Sequence, residues 1–417
     1  MIKTKTKTTW RKVKLGEVGY IITGKTPPTS VKKYFGKKYP FITPSDINSF
    51  DVRYNYKTER FLSPDWYNKS KSLIIPKDSI CFVCIGSTIG KMCLTREESF
   101  TNQQINTVIA KKEKADPLFL FYLLKNNQNN IVKEYGGGGA AKSIINKSTF
   151  ENIELFIPED INEQKRMADI LSAFDDKIEV NNKIIKTLEE MAQEVFKEWF
   201  VRFRFSGWQK VKFVDSELEK IPEEWKVGYL GDGIYSEIIK PKVKKFEGEK
   251  IYLATADVEK NEIVNEKTKI SYNNRPIRAN MEPVLNSIWF AKMINTYKVL
   301  FFFEGNKEDI EKYILSTGFM GIKALKDMQY YLYLFINSIE FHQIKDTLVQ
   351  GAVQEAITNT NVKQIQFLVP SETLLNEFNK KVEPLLIMAY KLKKENQKLT
   401  ALRDLLLPKL MSGETRL

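Results

Sequence analysis

Histidine is almost missing from this chain: His342 stands alone among 417 residues. Acid–base or metal chemistry built on imidazole is therefore a poor expectation. Cysteine is scarce too. Cys81, Cys84 and Cys93 lie in one short region, and an odd number argues against a disulfide framework. Cys81 and Cys84 form a CxxC, but no second pair follows. The run Cys81-Phe-Val-Cys84 is apolar and strand-like, so its cysteines read as small hydrophobes and no metal is expected. No apolar run approaches the ~18 to 20 residues of a membrane span. The basic start, MIKTKTKTTWRK, lacks the apolar core of a secretory signal, so a cytoplasmic location is expected.

Catalytic signatures are missing as well. No GxxxxGK[ST] or GxGxxG surrounds the glycine run from Gly136 to Gly139. An Asn/Asp-Pro-Pro-aromatic motif for amino methylation is absent; Pro27-Pro28 follows Lys25-Thr26 instead. Glu163-Gln-Lys165 matches the tail of a nuclease core, yet Asp160 lies only three residues ahead, so the group reads as a helix start. The expectation is a binder with no reaction and no cofactor of its own.

What is present is positive charge, unevenly spread. The net charge is +13, and residues 1–160 hold 26 Lys and Arg against 15 Asp and Glu, whereas residues 206–370 hold 22 of each. A basic region of this size suggests a polyanionic partner, most often nucleic acid.

The stretch from Asn162 to Phe200 carries the clearest periodicity. Met167, Leu171, Phe174, Ile178, Ile185, Leu188, Ala192, Val195 and Trp199 repeat in alternating steps of four and three, with Asn181 filling one turn. That is a heptad seam. At 1.5 Å per residue it predicts a helix roughly 50 Å long, suited to a spacer. Pro158 ends an extended run before it, Asp160 can cap it, and Glu163 follows as in a capping box. A second copy lies about 214 positions on, with Leu385, Met388, Leu392, Leu399, Leu402 and Leu406 in the same register. The two are expected to pack together, the second stopping at Pro408 and Gly413.

Other blocks repeat in the same order. Trp10-x4-Leu15-Gly16 matches Trp225-x4-Leu230-Gly231, and Tyr39 to Asp46-Ile47 matches Lys250 to Asp257-Val258. Asp78-Ser-Ile80 matches Asn286-Ser-Ile288, each a turn leading into a strand. Aromatic helical runs follow at Pro117 and Tyr330, and Gly139-Ala140 through Pro158 matches Gly351-Ala352 through Pro370. The chain thus reads as a tandem duplication of globular unit and long helix. The fold class is mixed α/β (α+β), and the period is far too long for a solenoid.

Between the strands lie loops rich in Thr, Ser, Asn, Gln and Lys, residue types that suit base edges and phosphates. In the first unit the candidates are Lys25, Thr26, Thr43, Ser45, Ser87, Thr88, Lys91, Asn102, Gln103, Gln104, Lys142 and Ser143. In the second they are Lys240, Lys242, Thr255, Lys292, Asn295, Thr296, Tyr297, Gln350 and Gln354. Ordinary turn chemistry uses the same residues. Their recurrence on a duplicated scaffold favours DNA.

These residues resemble the DNA specificity subunits of type I restriction–modification enzymes over nearly the whole chain. The resemblance rests on Glu163-Gln164-Lys-Arg-Met-Ala168-Asp-Ile170-Leu171, on Trp-x4-Leu-Gly at each unit's start, and on the ending Leu402-Arg403-Asp404-Leu-Leu-Leu407-Pro408-Lys409-Leu410-Met411-Ser412-Gly413-Glu414. The second helix departs, opening Ser371-Glu372-Thr373-Leu374 without the Glu-Gln pair.

The resemblance implies target-recognition domains at 1–160 and 207–370, with helical regions at 161–206 and 371–417. The helices would pair as an antiparallel coiled coil with pseudo-twofold symmetry, a ruler for an unread gap in a split target. Asn181 and Asn182, opposite Glu395 and Asn396, would form a polar layer fixing register. The implied partners are double-stranded DNA, two methyltransferase subunits and motor–nuclease subunits. S-adenosylmethionine, ATP and magnesium would belong to those partners. Two alternatives stay open at this point: a specificity module of another DNA-modification class, and a helical protein–protein scaffold with a basic domain.

Overall fold

The computed structural model describes residues 9–47, 53–55, 57–136, 144–349 and 355–414. Lys142, Ser143, Gln350 and Gln354 lie outside the described residues. The chain divides into two compact units, Met1–Val180 with Asn396–Leu417, and Asn181–Glu395. The division passes through both long helices.

The first unit opens on strand Trp10–Lys14, which pairs antiparallel with Glu154–Pro158, the strand leading into the first long helix. Two four-stranded sheets follow. One is antiparallel, in the order Gly19–Thr23, Ile105–Ala110, Ile80–Val83, Met92–Leu94. The other runs Phe35–Gly36, Arg60–Leu62, Tyr39–Ile42, Phe100–Thr101, and its last pair is parallel. The helix Pro117–Tyr135 is capped by Asp116, whose carboxylate accepts from the Leu118 and Phe119 N–H groups. It buries Phe119 through Leu124 without a break, so this short run is apolar all round and makes the middle of the core.

The second unit repeats this plan. Lys226–Tyr229 pairs antiparallel with Gln366–Val369. The antiparallel sheet runs Ser236–Ile239, Phe319–Ala324, Ser287–Ala291, Val299–Phe302. The mixed sheet runs Lys269–Ile270, Lys250–Leu253, Tyr313–Ser316, Ala279–Met281, with its parallel pair at the second and third of these and not at the end of the sheet. The repeat reaches single hydrogen bonds. Asp46 accepts from the Thr43 N–H at 2.7 Å, and Asp257 from the Ala254 N–H at 2.8 Å. Leu15 and Leu230 each donate their N–H to a carbonyl 2.9 Å away, Ile153 and Ile365. Asp78 and Asn286 both take positive φ, +61° and +57°, in the left-handed region that Asp and Asn tolerate best after glycine. One difference stands out: the long aromatic helix of the first unit becomes two, Gln329–Ile336 and Ile339–Val349.

The first long helix is Ile161–Phe196, closed by one π-type turn at Lys197–Val201. Its expected stripe faces inward. Leu171, Asn181, Ile185 and Ala192 are buried, and Phe174, Ile178 and Leu188 are half-buried. Gln164 explains the helix opening. Fully buried, it donates to the Pro158 carbonyl at 2.8 Å and accepts from the Asp116 N–H at 2.9 Å. It thus ties the helix to both the closing strand and the aromatic helix.

In each unit, half of the first long helix packs with half of the second, Glu372–Met411. Within the second unit the pairing is antiparallel: Asn181 donates to Glu395 at 2.9 Å, Glu189 meets Lys393 at 2.7 Å, and Phe200 packs on Phe378. Within the first unit, Met167, Ala168 and Leu171 share a core with Leu407, Leu410 and Met411. There the helices are joined by a buried ion pair. Arg403 donates to Asp175 at 2.6 Å, Tyr122 donates to the other Asp175 oxygen at 2.5 Å, and both charged side chains are under a tenth exposed.

Two expectations for the second helix need correction. Met388 and Leu402 are half exposed, whereas Leu386, Ala389, Arg403, Leu407 and Leu410 are buried; Leu385, Leu392, Leu399 and Leu406 lie at its half-buried flank. The inward stripe sits one residue C-terminal to the apolar one, because Arg403 occupies a core position that a hydrophobic count skips. The helix also runs through Pro384 and Pro408 rather than stopping at the second. Proline's fixed φ suits a helix, but each removes a backbone bond and crowds the carbonyl four residues back, and burial of Leu410 and Met411 holds the last turn. Gly413, at φ +76°, ends it.

Arg403→Met should therefore cost roughly 3–5 kcal/mol, since it strands Asp175 in the core. Met388→Ala and Leu402→Ala should cost about 1 kcal/mol or less. Denaturant unfolding of the full chain checks both, and equal losses would mean that the apolar stripe is the packed one after all.

Candidate nucleic-acid interface

In the first unit four separate loops meet. The Lys25 N–H donates to the Thr101 carbonyl at 2.9 Å, and Thr26 donates through its hydroxyl to Gln103 at 2.7 Å. The Asn102 N–H reaches the Ile42 carbonyl beside Thr43 at 3.2 Å, and Lys91 donates to the Ile47 carbonyl at 3.0 Å. The Cys84 N–H donates to the Gln104 carbonyl at 2.8 Å. Sequence-distant segments around residues 25, 45, 88 and 103 thus form one polar surface. Lys25, Ser45, Ser87 and Gln103 are its exposed members.

Not every candidate is free to read a base. Thr43 is buried and donates to Asp46 at 2.6 Å. Asn102 is buried, donating to the Gln104 amide oxygen at 2.9 Å while accepting from the Gln104 N–H at 3.1 Å. Both shape their loops. Gly90 sets the depth of the 86–91 loop. At φ +94° it lies so close to the aromatic helix that a Cβ would come within 2.8 Å of Val132.

The second unit gathers corresponding loops by other means. The Lys292 N–H donates to the Gly318 carbonyl at 3.0 Å, and Lys298 donates to the Thr255 carbonyl at 2.7 Å. The Pro241 carbonyl, between Lys240 and Lys242, accepts from the Glu282 N–H at 3.1 Å. Lys292 is half-buried, and burial, then the nearby Lys240 charge, pull its pKa down. Two ammonium groups held this near each other are a setting for a phosphate. Asn295 and Tyr297 are exposed, with Thr296 half-covered between them.

Composition gave no hint of what fixes the 292–297 loop. Lys345 is fully buried, and its ammonium donates to the Met293 carbonyl at 2.7 Å and the Thr296 carbonyl at 3.2 Å. It pairs with Asp346 at 2.9 Å, and Asp346 also accepts from the Asn295 N–H at 3.2 Å. Asn295 sits at φ +53°, and these bonds hold it there. His342, the lone histidine, packs its ring 4.7 Å from that of Tyr297. The only signal in the sequence was a Lys-Asp pair on a helix next to the aromatic run, which any helix surface could carry.

The three cysteines are buried in the first unit, Cys81 and Cys93 directly across from each other in the antiparallel sheet and Cys84 just past the strand that holds Cys81. Burial lifts the Cys84 thiol to about 12, and a hydrogen bond with Cys81, then burial, lifts Cys93 as well. Cys84 and Cys93 are protonated core thiols. Among the described residues no group of His, Cys, Asp or Glu could hold a metal ion, and no helix is long and apolar enough to cross a membrane.

With this geometry in view, comparison with known proteins becomes informative. Residues 7–190 match the family described as the type I restriction modification DNA specificity domain. The chain is 26% identical to the type I restriction enzyme MjaIX specificity subunit of Methanocaldococcus jannaschii, over 98% of this chain and 94% of that one. It is 35% identical to the HindI specificity subunit of Haemophilus influenzae over 149 residues, covering 36% and 32% of the two chains. Its fold resembles that of the type I restriction–modification S subunit from M. genitalium, with a TM-score of 0.61 at 17% identity and 98% coverage of both chains. Residues 7–190 thus carry a match to this domain family, and over its full length the chain is similar to specificity subunits of type I restriction–modification systems.

Burial, helped by Lys345, holds the His342 pKa down to about 4, against 6.5 for an unstrained imidazole. The unfolded chain therefore binds a proton first as pH falls. Stability from this site is complete above pH 6.5 and is lost toward pH 4, by up to about 3 kcal/mol. Thermal melts of His342→Phe across that window should lose less stability on acidification than the parent chain. Parallel curves would show that the histidine does not drive the acid response.

Proposed function

We propose that this chain is the sequence-reading subunit of a type I restriction–modification complex and binds a two-part duplex DNA target with an unread spacer between the parts. The observation that carries the reading is the repeated convergence of polar loops: two units whose antiparallel sheets share one strand order, the first drawing Lys, Thr, Ser, Asn and Gln and the second Lys, Thr, Asn and Tyr from sequence-distant loops. Side chains of these types can contact both phosphates and base edges. In this reading residues 1–160 and 207–370 each take one half of the target. The helical regions 161–206 and 371–417 carry the scaffold.

The chain itself performs no bond chemistry in this proposal. Two methyltransferase subunits dock on the helical scaffold and bring S-adenosylmethionine, while motor–nuclease subunits bring ATP and magnesium. The buried thiols and the depressed histidine support this division, since neither offers an ionised nucleophile or a base poised near neutral pH.

Co-expression with the cognate methyltransferase subunit, followed by mapping of methylated bases in the host genome, tests the proposal. The expected result is one motif in two parts with indifferent bases between. Replacing residues 207–370 by the matching region of a relative should change one part and leave the other. Binding of the complex to its mapped duplex should weaken steeply with salt, by about 0.9 in log–log slope per phosphate neutralised. A continuous motif, or salt-independent binding, would overturn the reading.

A further inference from the structure

A loop that the sequence reading passed over lies beside the interface of the second unit. It joins strands Lys269–Ile270 and Ala279–Met281 and reads Asn274-Arg275-Pro276-Ile277-Arg278. Ile277 is 97% exposed, while the other large exposed hydrophobic side chains among the described residues range from 38% to 61%. A scattered apolar side chain on a surface is ordinary. One held almost wholly in solvent is not, because loops usually let such a side chain fold back on its neighbours.

This loop holds Ile277 outward. Pro276 accepts from the Ala279 N–H at 2.8 Å, closing a tight turn with Ile277 at its tip. Arg275 donates to the Tyr272 carbonyl at 2.6 Å, and its guanidinium lies 4.2 Å from the Tyr272 ring centre. The Arg278 carbonyl accepts from the Asn280 N–H at 3.0 Å and the Thr317 N–H at 2.9 Å. Thr317 leads into Gly318, whose carbonyl receives the Lys292 N–H. The tip is therefore preorganised, flanked by two arginines, and tied directly to the loops assigned to DNA.

We propose that Ile277 is a DNA-contacting wedge: it enters a groove against the base edges of the half-target read by this unit, while Arg275 and Arg278 hold the phosphates on either side. The proposal rests on the DNA-reading function above and adds a site to it. Duplex DNA supplies what the tip lacks. Its backbone neutralises the two guanidinium groups, and its base edges and stacked steps offer apolar surface to an inserted aliphatic side chain. Exposure in the free chain is then the cost of readiness, since no side chain must be uncovered on binding.

The test is selection from a random-sequence duplex library by the full chain with its methyltransferase subunit, in parallel for the parent, Ile277→Ala, Ile277→Gln and Arg278→Gln. Melting temperatures of all four should agree, because the altered side chains are exposed. The parent should enrich a two-part motif. Both Ile277 variants should lose base preference at positions in one part only, with affinity for the parent motif down about tenfold. Arg278→Gln should keep the motif and reduce the salt slope by about one. Unchanged motifs and affinities in both Ile277 variants would overturn the wedge while leaving the function intact. A parent that enriches no motif would overturn the function and the wedge with it.

Discussion

A helix of some forty residues with a half-apolar face cannot stand alone in water, and everything else in this chain follows from how that face is covered. Each unit lends one half of each long helix to its own core. The first unit seals its half with Leu171, Leu407 and Leu410, and the second with Ala192, Phe196, Phe378 and Val382. Because these contacts are antiparallel in the second unit, a residue early in one helix meets a residue late in the other. Apolar packing alone would tolerate a slip of one turn. The buried polar groups do not: Asp175 must meet Arg403 and Tyr122, and Asn181 must meet Glu395. Such groups add little net stability and much to the uniqueness of the register.

The two units share the strand order of their antiparallel sheets and differ in how they stiffen the loop after the third strand of that sheet. One lets a glycine nestle against a long continuous helix. The other breaks that helix at Asn337 and Ser338 and sends a buried lysine into the loop's carbonyls. Both solutions fix the backbone of loops proposed to meet DNA, and prior ordering lowers the entropy lost on binding. Duplicated scaffolds can diverge in this way because the constraint falls on loop position and not on which side chain enforces it.

Much of this was legible in the sequence. The repeat was readable because strands, turns and caps leave position-specific marks: Asp46 and Asp257 close equivalent turns, and Asp78 and Asn286 accept the same left-handed backbone. The first helix was readable because its apolar stripe is the one that faces inward, although Gln164, Asp175 and Asn181 are buried along it. The second was read one residue out of register, since the rule that finds a core by hydrophobicity cannot see Arg403. The loops were named but not their division of labour. Thr43 and Asn102 have the composition of readers and are braces in space, and the Ile277 turn escaped because its distinctive side chain is apolar and composition does not report exposure. Side-chain burial is a property of the fold, and short loops carry no periodicity from which to infer it.

The balance of charge illustrates the same limit. The second unit sums to nothing, 22 against 22 over residues 206–370, which on its own speaks against a polyanion. A sum over a domain is the wrong quantity, because the field at a surface depends on where charges sit and how strongly water screens them. Of the carboxylates in that sum, Asp309 is engaged with Lys394 and Glu266 with Lys312. Asp346 answers a lysine that is itself buried. Lys240, Lys242 and Arg278 remain exposed on the loops, with Lys292 half-covered beside them. A neutral domain can therefore present a local cationic surface, and the first unit's excess of basic residues is not required for the second to share its role.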